Sequence, residues 1–271
     1  MSSVLVVGPS WVGDMIMAQR LFISLRRRDP GLSIDVVAPS WSHPILARMP
    51  QVRDAIEMPV PHGALGLGLR WRVGRALRRR EYDRAIVLPR SLKSALAPFF
   101  AGIPRRTGYR GEVRYALLND VRPLDRTRLE QMVQRFVALG QPREAPLPPA
   151  VPVPRLEVDE QNRSRLIAEL GLELDRPVVG CVPGAAYGPS KRWSVEQFGE
   201  LARRLREEGR QVWLLGGEAD REAGRNILHL SGGNAVDLTG RTRLEDVVDL
   251  LSLTEVAVTN DSGLMHVAGA V

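Results

Sequence analysis

Four segments of the chain combine glycine, small polar and charged residues in the manner of ligand-binding loops. They are residues 8–14, 183–193, 216–222 and 259–266, and each follows a short apolar run. Parallel α/β sheets bind ligands at the carboxyl ends of their strands, where such loops begin. These four loops therefore hold the candidate functional residues.

The first loop ends in Asp14, where a helical pattern begins. A dinucleotide-binding loop would have the spacing G-x-G-x-x-G, whereas this loop has only Gly8 and Gly13. A carboxylate here can cap the helix, or it can act as a general base toward a bound molecule. Both interpretations stay open at this point.

The second and third loops carry groups that suit a nucleotide. Gly184 allows close backbone approach, and Lys191 and Arg192 precede a helix start, which is typical of diphosphate binding. A long solvated loop is the alternative. In the third loop, acidic residues that include Glu222 can accept hydrogen bonds from ribose hydroxyls, or they can complement a helix dipole.

The fourth loop is the most informative. Backbone N–H groups at Ser262, Gly263 and Leu264 would point at an anion bound at the start of a helix. His266 follows about one turn later, and Asp261 precedes the helix. A lone histidine is usually structural, but these residue types together at one helix start favour a binding role.

The elements that must position these loops alternate between strand and helix patterns, which predicts doubly wound parallel sheets. Six prolines between Gln141 and Pro154 exclude helix and central strand there. We therefore predict an N-terminal Rossmann-like domain over 1–140, a proline-rich linker over 141–156 and a C-terminal Rossmann-like domain over 157–271. Capping boxes at Ser194/Gln197 and Thr242/Glu245 are expected to open two helices of the second domain.

Composition narrows the class of protein. The net charge of +7 favours an anionic partner, but the sequence shows no nucleic-acid-binding signature. Cys181 is the single cysteine, which excludes an internal disulfide, and its apolar surroundings indicate a buried strand residue. The sequence shows neither a secretory signal nor an apolar run long enough to span a bilayer, so we expect a cytosolic protein.

The loops, taken with several other motifs, resemble those of the lipopolysaccharide heptosyltransferases of glycosyltransferase family 9. The sequence Trp-Val-Gly-Asp is similar to the corresponding motif of the heptosyltransferase II branch rather than to those of the first or third heptosyltransferases. The motifs that carry the resemblance are 8–15, 48–50, 93–95, 100–108, 117–121, 191–193 and 260–268.

The resemblance implies a GT-B fold, in which two Rossmann-like domains face each other across a cleft. It implies inverting transfer of L-glycero-D-manno-heptose from ADP-heptose to the first heptose of the lipopolysaccharide inner core, through an α-1,3 link. Asp14 matches the family's catalytic base. Lys191 matches a phosphate-contacting lysine, Glu222 a ribose contact, and residues 261–266 the diphosphate-binding helix start.

The resemblance also implies partners. The acceptor is a phosphorylated heptosyl-Kdo2-lipid A in the cytoplasmic leaflet of the inner membrane, so a peripheral membrane location is expected. Acceptor contacts are expected from Ser10, Trp11, Gly13, Arg105 and Arg110. Neither a cofactor nor a metal is expected, because cationic side chains and helix N-termini can stabilise the leaving diphosphate.

Family members continue beyond the position of Val271, so the C-terminal domain is expected to be incomplete. Three alternatives stay open: a nicotinamide-dependent oxidoreductase, a non-catalytic nucleotide-binding fragment, and a sister transferase that uses another nucleotide sugar. The missing G-x-G-x-x-G counts against the oxidoreductase. Nucleotide binding and donor assays would separate the other two.

Overall fold

The computed structural model describes residues 2–61, 63–185 and 192–271. The chain forms two compact units, Met1–Arg155 and Leu156–Val271, which we call unit 1 and unit 2. Each unit contains a parallel sheet with helices, which confirms the predicted α/β class with Rossmann-like domains.

Unit 1 contains a six-stranded parallel sheet whose strand order is β3-β2-β1-β4-β5-β6. Its strands are β1 (Ser3–Val7), β2 (Ser33–Ala38), β3 (Val52–Glu57), β4 (Arg84–Val87), β5 (Arg105–Tyr109) and β6 (Asp120–Arg122). Its helices are α1 (Val12–Arg28), α2 (His43–Leu46), α3 (Leu67–Leu77), α4 (Leu96–Phe100) and α5 (Met132–Gly140), with 3₁₀ segments at Ser40–Ser42, Arg78–Arg80 and Leu92–Ala95.

The first helix of unit 1 follows the predicted apolar pattern. Met15, Ala18, Leu21, Phe22 and Leu25 recur at helical spacing and all are buried. Strand β3 lies at the sheet edge, and Pro59, which follows it closely, is typical of an edge strand. Strands β5 and β6 and helix α5 were not predicted. The two strands are short and charged and show no clear hydrophobic period, whereas α5 has apolar residues, such as Phe136 and Leu139, that could have indicated a helix.

Unit 2 contains a four-stranded parallel sheet in the order β10-β7-β8-β9. Its strands are β7 (Val178–Val182), β8 (Gln211–Leu214), β9 (Val236–Asp237) and β10 (Val256–Thr259). Its helices are α6 (Glu160–Leu170), α7 (Val195–Glu207), α8 (Arg221–Leu230), α9 (Leu244–Leu251) and α10 (Gly263–Ala268), with a 3₁₀ turn at Glu218–Asp220 before α8.

Helix α7 begins with the predicted capping box. The Ser194 hydroxyl accepts from the Gln197 N–H, and the Gln197 side chain accepts from the Ser194 N–H, both at 3.3 Å. The second predicted box, Thr242/Glu245, is wrong by one residue. Arg243 is the N-cap residue of α9, and its N–H donates to the Asp246 carboxylate at 2.9 Å.

Three further features bear on the sequence-based expectations. Residues 141–154 contain neither helix nor strand, as predicted, while their assignment as an interdomain linker stays a prediction. Cys181 is buried in β7, and burial raises the pKa of its thiol to about 12. No helix among the described residues is both long and apolar enough to cross a membrane.

Candidate functional site

A pocket of about 380 Å³ lies in unit 2 at the carboxyl ends of β7 and β8, beside the starts of α9 and α10. The loops after both strands form one wall, and the two helix starts form the other. Its lining residues are Val182, Gly184, Ala185, Gly216, Gly217, Ala219, Asp220, Thr242, Arg243, Leu244, Val247, Ser262 and Leu264. The pocket thus brings together three of the four predicted loops of the chain, all those that fall in unit 2.

Two hydroxyl groups in this pocket are buried and have no hydrogen-bond partner among residues 2–61, 63–185 and 192–271. They are the Oγ1 atom of Thr242 and the Oγ atom of Ser262. Ser262 is also the N-cap residue of α10, and Thr242 lies two residues before α9. A buried hydroxyl without a partner costs about 1–3 kcal/mol, so a bound ligand with acceptor oxygens would recover that free energy.

The glycines of the pocket make room for Asp220. The Asp220 carboxylate accepts from the Gly217 N–H at 2.9 Å. A Cβ atom on Gly184 would lie 2.5 Å from Asp220 Oδ1, and one on Gly216 would lie 2.7 Å from Oδ2. The absence of a side chain at Gly184 thus makes room for a carboxylate of the protein, and close approach of a diphosphate to this glycine stays a prediction.

Asn260 joins the second and fourth loops. Its side chain donates to the Pro183 carbonyl at 2.7 Å and accepts from the Trp193 N–H at 2.9 Å. The Trp193 ring in turn packs edge-on against Phe198, with centroids 5.0 Å apart. Asn260 is 5% exposed, so it positions the wall of the pocket rather than offering its amide to a ligand.

The other predicted donor residues are placed differently. Asp261 and Gly263 flank Ser262 at the start of α10, and His266 is the fourth residue of that helix. Glu222 is exposed in the first turn of α8 and does not line the pocket. Lys191 lies outside the described residues.

Two lining residues of this pocket were missed. The sequence pattern led us to interpret Thr242 as a helix cap, and Arg243 was given no role. Their signal was present in the chain, because a hydroxyl and an arginine directly before a helix start are a common phosphate-binding combination.

A second pocket, of about 230 Å³, lies in unit 1 at the carboxyl ends of β1, β2 and β4. Its polar and cationic lining comes from Ser10, Arg70, Ser91, Lys93 and Ser94. Apolar side chains that include Val7, Val37, Met58 and Val60 form its floor. Of the five predicted acceptor residues, the pocket includes Ser10.

Two hydrogen bonds fix groups at the rim of this pocket. Trp41 donates through Nε1 to the Ser10 carbonyl at 2.8 Å, which ties the loop after β1 to the loop after β2. Arg70 donates through Nε to the Leu65 carbonyl at 2.7 Å, and burial lowers the pKa of its guanidinium.

Arg114 supports the opposite wall of this pocket. Its guanidinium donates to the carbonyls of Pro89 and Ser91 and to Ser94 Oγ, at 2.7, 3.1 and 3.1 Å. Arg114 is 2% exposed, and burial together with Arg90 lowers its pKa to about 10. These hydrogen bonds stabilise the loop of residues 89–94. The sequence alone did not predict this role of Arg114.

Asp14 is the third residue of α1, because Trp11 occupies the N-cap position. Asp14 therefore lies within the first turn of the helix and is not the N-cap residue itself, although a carboxylate at this position still complements the helix dipole. The side chain of Asp14 is half-buried, Gly13 is buried beside it, and Trp11 is 47% exposed. None of the three lines the unit 1 pocket, although Ser10 of the same loop does.

The two predicted acceptor arginines lie at opposite ends of strand β5 in unit 1. Arg110 directly follows β5, and its guanidinium donates to the Tyr115 hydroxyl at 2.9 Å. Arg105 begins β5 and forms an ion pair with Asp120 at 3.0 Å. The grouping of Arg105 with Ser10 is therefore corrected, because the first residue of a parallel strand lies at the edge remote from the carboxyl-end loops.

Comparison with known proteins identifies the family. Residues 70–271 match the model of glycosyltransferase family 9 (heptosyltransferase). Lipopolysaccharide heptosyltransferase 2 of Salmonella typhimurium is 50% identical over 98% of this chain and 79% of its own length.

Two solved structures support the same assignment. The Escherichia coli ADP-heptose LPS heptosyltransferase II structure has 45% identity and a TM-score of 0.88, over 99% of this chain and 81% of that one. The E. coli heptosyltransferase WaaC with ADP, at 20% identity and a TM-score of 0.72, covers 99% of this chain and 84% of that one and shows the shared fold. The predicted GT-B fold is thereby confirmed, and the chain belongs to glycosyltransferase family 9, the heptosyltransferases.

Proposed function

We propose that this glycosyltransferase transfers L-glycero-D-manno-heptose from ADP-heptose to the first heptose of the lipopolysaccharide inner core, forming an α-1,3 link with inversion. The relative with 50% identity is a lipopolysaccharide heptosyltransferase, which supports the lipopolysaccharide acceptor. The solved structure with 45% identity is that of an ADP-heptose LPS heptosyltransferase, which supports ADP-heptose as the donor.

The observation that carries the donor assignment is the pair of buried, unpartnered hydroxyls of Thr242 and Ser262 in the unit 2 pocket. Both stand where helices begin, so each would donate to a diphosphate oxygen beside backbone N–H groups. Arg243 adds a positive charge at the same wall. Together these groups would stabilise the negative charge that develops on ADP as it leaves.

The other donor residues are proposed from the family pattern. Gly184 shapes the pocket through its contact with Asp220, and Asp261, Gly263 and His266 surround the α10 start. Lys191 would contact phosphate. Glu222 would contact the ribose, and its exposed place on α8 leaves its carboxylate open to solvent.

Asp14 is proposed as the general base. Its carboxylate would accept the proton of the acceptor hydroxyl while that oxygen forms a bond to the anomeric carbon. The bond from that carbon to the diphosphate oxygen breaks on the opposite face, and its electron pair leaves with ADP. Inversion at the anomeric carbon follows from this single displacement.

Unit 1 is proposed to bind the acceptor. Ser10 and the cations Arg70 and Lys93 line its pocket and suit a carboxylated, phosphorylated glycan. Trp11 and Gly13 at the start of α1, and Arg110 after β5, are proposed as further contacts. The lipid part of this acceptor would bring the enzyme to the cytoplasmic face of the inner membrane. Arg105 is not included in this site, because it lies at the amino-terminal end of β5 and pairs with Asp120 there.

The experiment is heptose transfer from ADP-heptose to monoheptosylated Kdo2-lipid A, followed by mass spectrometry of the acceptor. Gain of one heptose by the wild type and none by Asp14→Ala supports donor, acceptor and base together. Equal transfer by the two proteins rejects Asp14 as the base. A wild type that binds ADP in calorimetry yet transfers nothing from ADP-heptose, while it uses a different nucleotide sugar, favours a sister transferase.

A further inference from the structure

A pocket of about 600 Å³ lies at the amino-terminal ends of β4 and β5, beside the C-terminal ends of α1 and α5. It belongs to unit 1 but lies at the amino-terminal ends of the strands, whereas the pocket that contains Ser10 lies at their carboxyl ends. Five arginines and two carboxylates line it among the described residues. They are Arg28, Arg84, Arg105, Arg122, Arg143, Asp120 and Glu144.

Two of the arginines share one carboxylate within the pocket. Arg105 and Arg122 both pair with the Asp120 carboxylate, at 3.0 and 3.2 Å. Arg122 is 8% exposed and also donates to the carbonyls of Ala138 and Gln141, yet its Nε atom has no partner. Positive charge therefore exceeds negative charge in the lining, and Arg28, Arg84 and Arg143 form no ion pair with Asp120 or Glu144.

Arg84 is the least satisfied of these side chains. It is half-buried, and its guanidinium forms neither a hydrogen bond nor an ion pair with any residue of the ranges 2–61, 63–185 and 192–271. Burial lowers its pKa, and the nearby charges of Arg28 and Arg105 lower it further, against the weaker opposing influence of Asp29 and Asp83. Guanidinium groups gathered without matching carboxylates are typical of sites that bind phosphate.

The neighbouring arginines are held in place by backbone carbonyls. Arg28 donates to the Gly140 carbonyl at 2.8 Å, and Arg143 donates to the Val121 carbonyl at 2.7 Å. A carbonyl fixes a guanidinium without cancelling its charge, so the site is positioned before any ligand enters. We propose that this pocket binds a ligand through its phosphate groups, with Arg84 as a direct contact and Arg28 and Arg143 beside it.

This site is separate from the donor and acceptor pockets, so its failure would leave the proposed transferase function untouched. The phosphate could belong to a soluble phosphorylated molecule or to a lipid headgroup. The test therefore has two arms on the full chain: calorimetric titration with inorganic pyrophosphate, and cosedimentation with vesicles that contain phosphatidic acid.

Four proteins are compared in both arms: wild type, Arg84→Gln, Arg143→Gln and the exposed control Arg79→Gln. We expect Arg84→Gln to weaken binding about tenfold, Arg143→Gln about threefold, and the control less than about twofold. Loss in the pyrophosphate arm identifies a soluble ligand, and loss in the vesicle arm identifies a headgroup. If Arg84→Gln and Arg143→Gln both bind pyrophosphate and vesicles as the wild type does, the proposal is overturned.

Discussion

At the scale of single residues, two hydroxyls of the proposed donor pocket have no hydrogen-bond partner among the described residues. They belong to Thr242 and Ser262, whereas Asn260 bonds a backbone carbonyl and a backbone N–H, and the terminal nitrogens of Arg114 donate to carbonyls although its Nε atom has no partner. Sequence identified Ser262 because it lies in a loop of small polar residues. It could not identify Arg114, because a buried arginine bound to carbonyls leaves no local pattern.

Asp14 gives the sharpest prediction at this scale. Asp14→Asn keeps the shape of the side chain but removes its capacity to accept a proton, so we expect the transfer rate to fall about a hundredfold or more. Calorimetry should show ADP affinity within about twofold of the wild type, because the donor pocket belongs to unit 2. Glu130→Gln, an exposed acid of unit 1, is the control and should retain full activity. A normal rate in Asp14→Asn would contradict the role of base.

Arg84 gives a prediction about stability. An unpaired, half-buried guanidinium beside Arg28 and Arg105 destabilises the folded state, so Arg84→Met should raise the free energy of unfolding by about 0.5–1 kcal/mol. Urea unfolding at low salt measures this difference, and Arg79→Met, at an exposed position, should change stability little. Lower stability of Arg84→Met would show that the charge is compensated in the folded protein.

At the scale of elements, the spacing of hydrophobic residues predicted the elements that have an apolar face but not the strands that consist mostly of charged and polar residues. Helix α1 and strand β2 have apolar residues at helical and strand spacing, and both form where that spacing occurs. Strands β5 and β6 begin with arginine and aspartate, and their pairing depends on contacts such as that of Arg105 with Asp120. Partners distant in sequence decide such strands, so local pattern could not reveal them.

The pairing of strands β2 and β3 at the edge of the unit 1 sheet is stabilised by one buried carboxylate, that of Asp35. Asp35 on β2 is 0% exposed and accepts from Arg53, Arg80 and Tyr82, at 2.6 to 2.9 Å for the arginines and 2.5 Å for the tyrosine. Burial raises the pKa of Asp35, but the hydrogen bonds from its three partners outweigh burial, so its pKa is lowered. The group thereby links β2 to β3 and to the residues before β4.

Asp35→Asn should therefore destabilise unit 1 by about 2–3 kcal/mol at pH 7. Because the folded pKa is lowered, the stabilisation by Asp35 is present above the unfolded pKa of about 3.9 and is lost as pH falls through the folded value. Urea unfolding between pH 7 and 3 should show the two proteins converging at low pH. Glu57→Gln, on the neighbouring strand, serves as the control, and a difference independent of pH would contradict this account.

At the scale of the whole molecule, the net charge of +7 is concentrated in arginines that have several distinct uses. Sequence predicted an anionic partner but could not separate these uses. Arg53 and Arg80 satisfy a buried acid, Arg114 supports a loop, and Arg243 lines the donor pocket. What sequence did predict is that candidate binding residues lie in carboxyl-end loops, because that follows from the repeated strand-helix pattern, and three of those loops line the unit 2 pocket.

The assignment of nucleotide binding to unit 2 can be tested across the whole chain by amide hydrogen exchange with and without ADP. We expect slower exchange at residues 183–185, 216–220, 243–247 and 262–266, because ADP would bury the loops and helix starts that line the pocket. Unit 1 should exchange at an unchanged rate.

Two variants test whether the hydroxyls of Thr242 and Ser262 contribute to ADP binding. Thr242→Ala and Ser262→Ala should each weaken ADP binding about fivefold to tenfold, since each removes one donor to a charged oxygen. Ser164→Ala, an exposed hydroxyl on α6, should leave the affinity unchanged. Protection confined to unit 1, or wild-type affinity in both pocket variants, would place the nucleotide elsewhere and would remove the basis for interpreting the unit 2 pocket as the donor site.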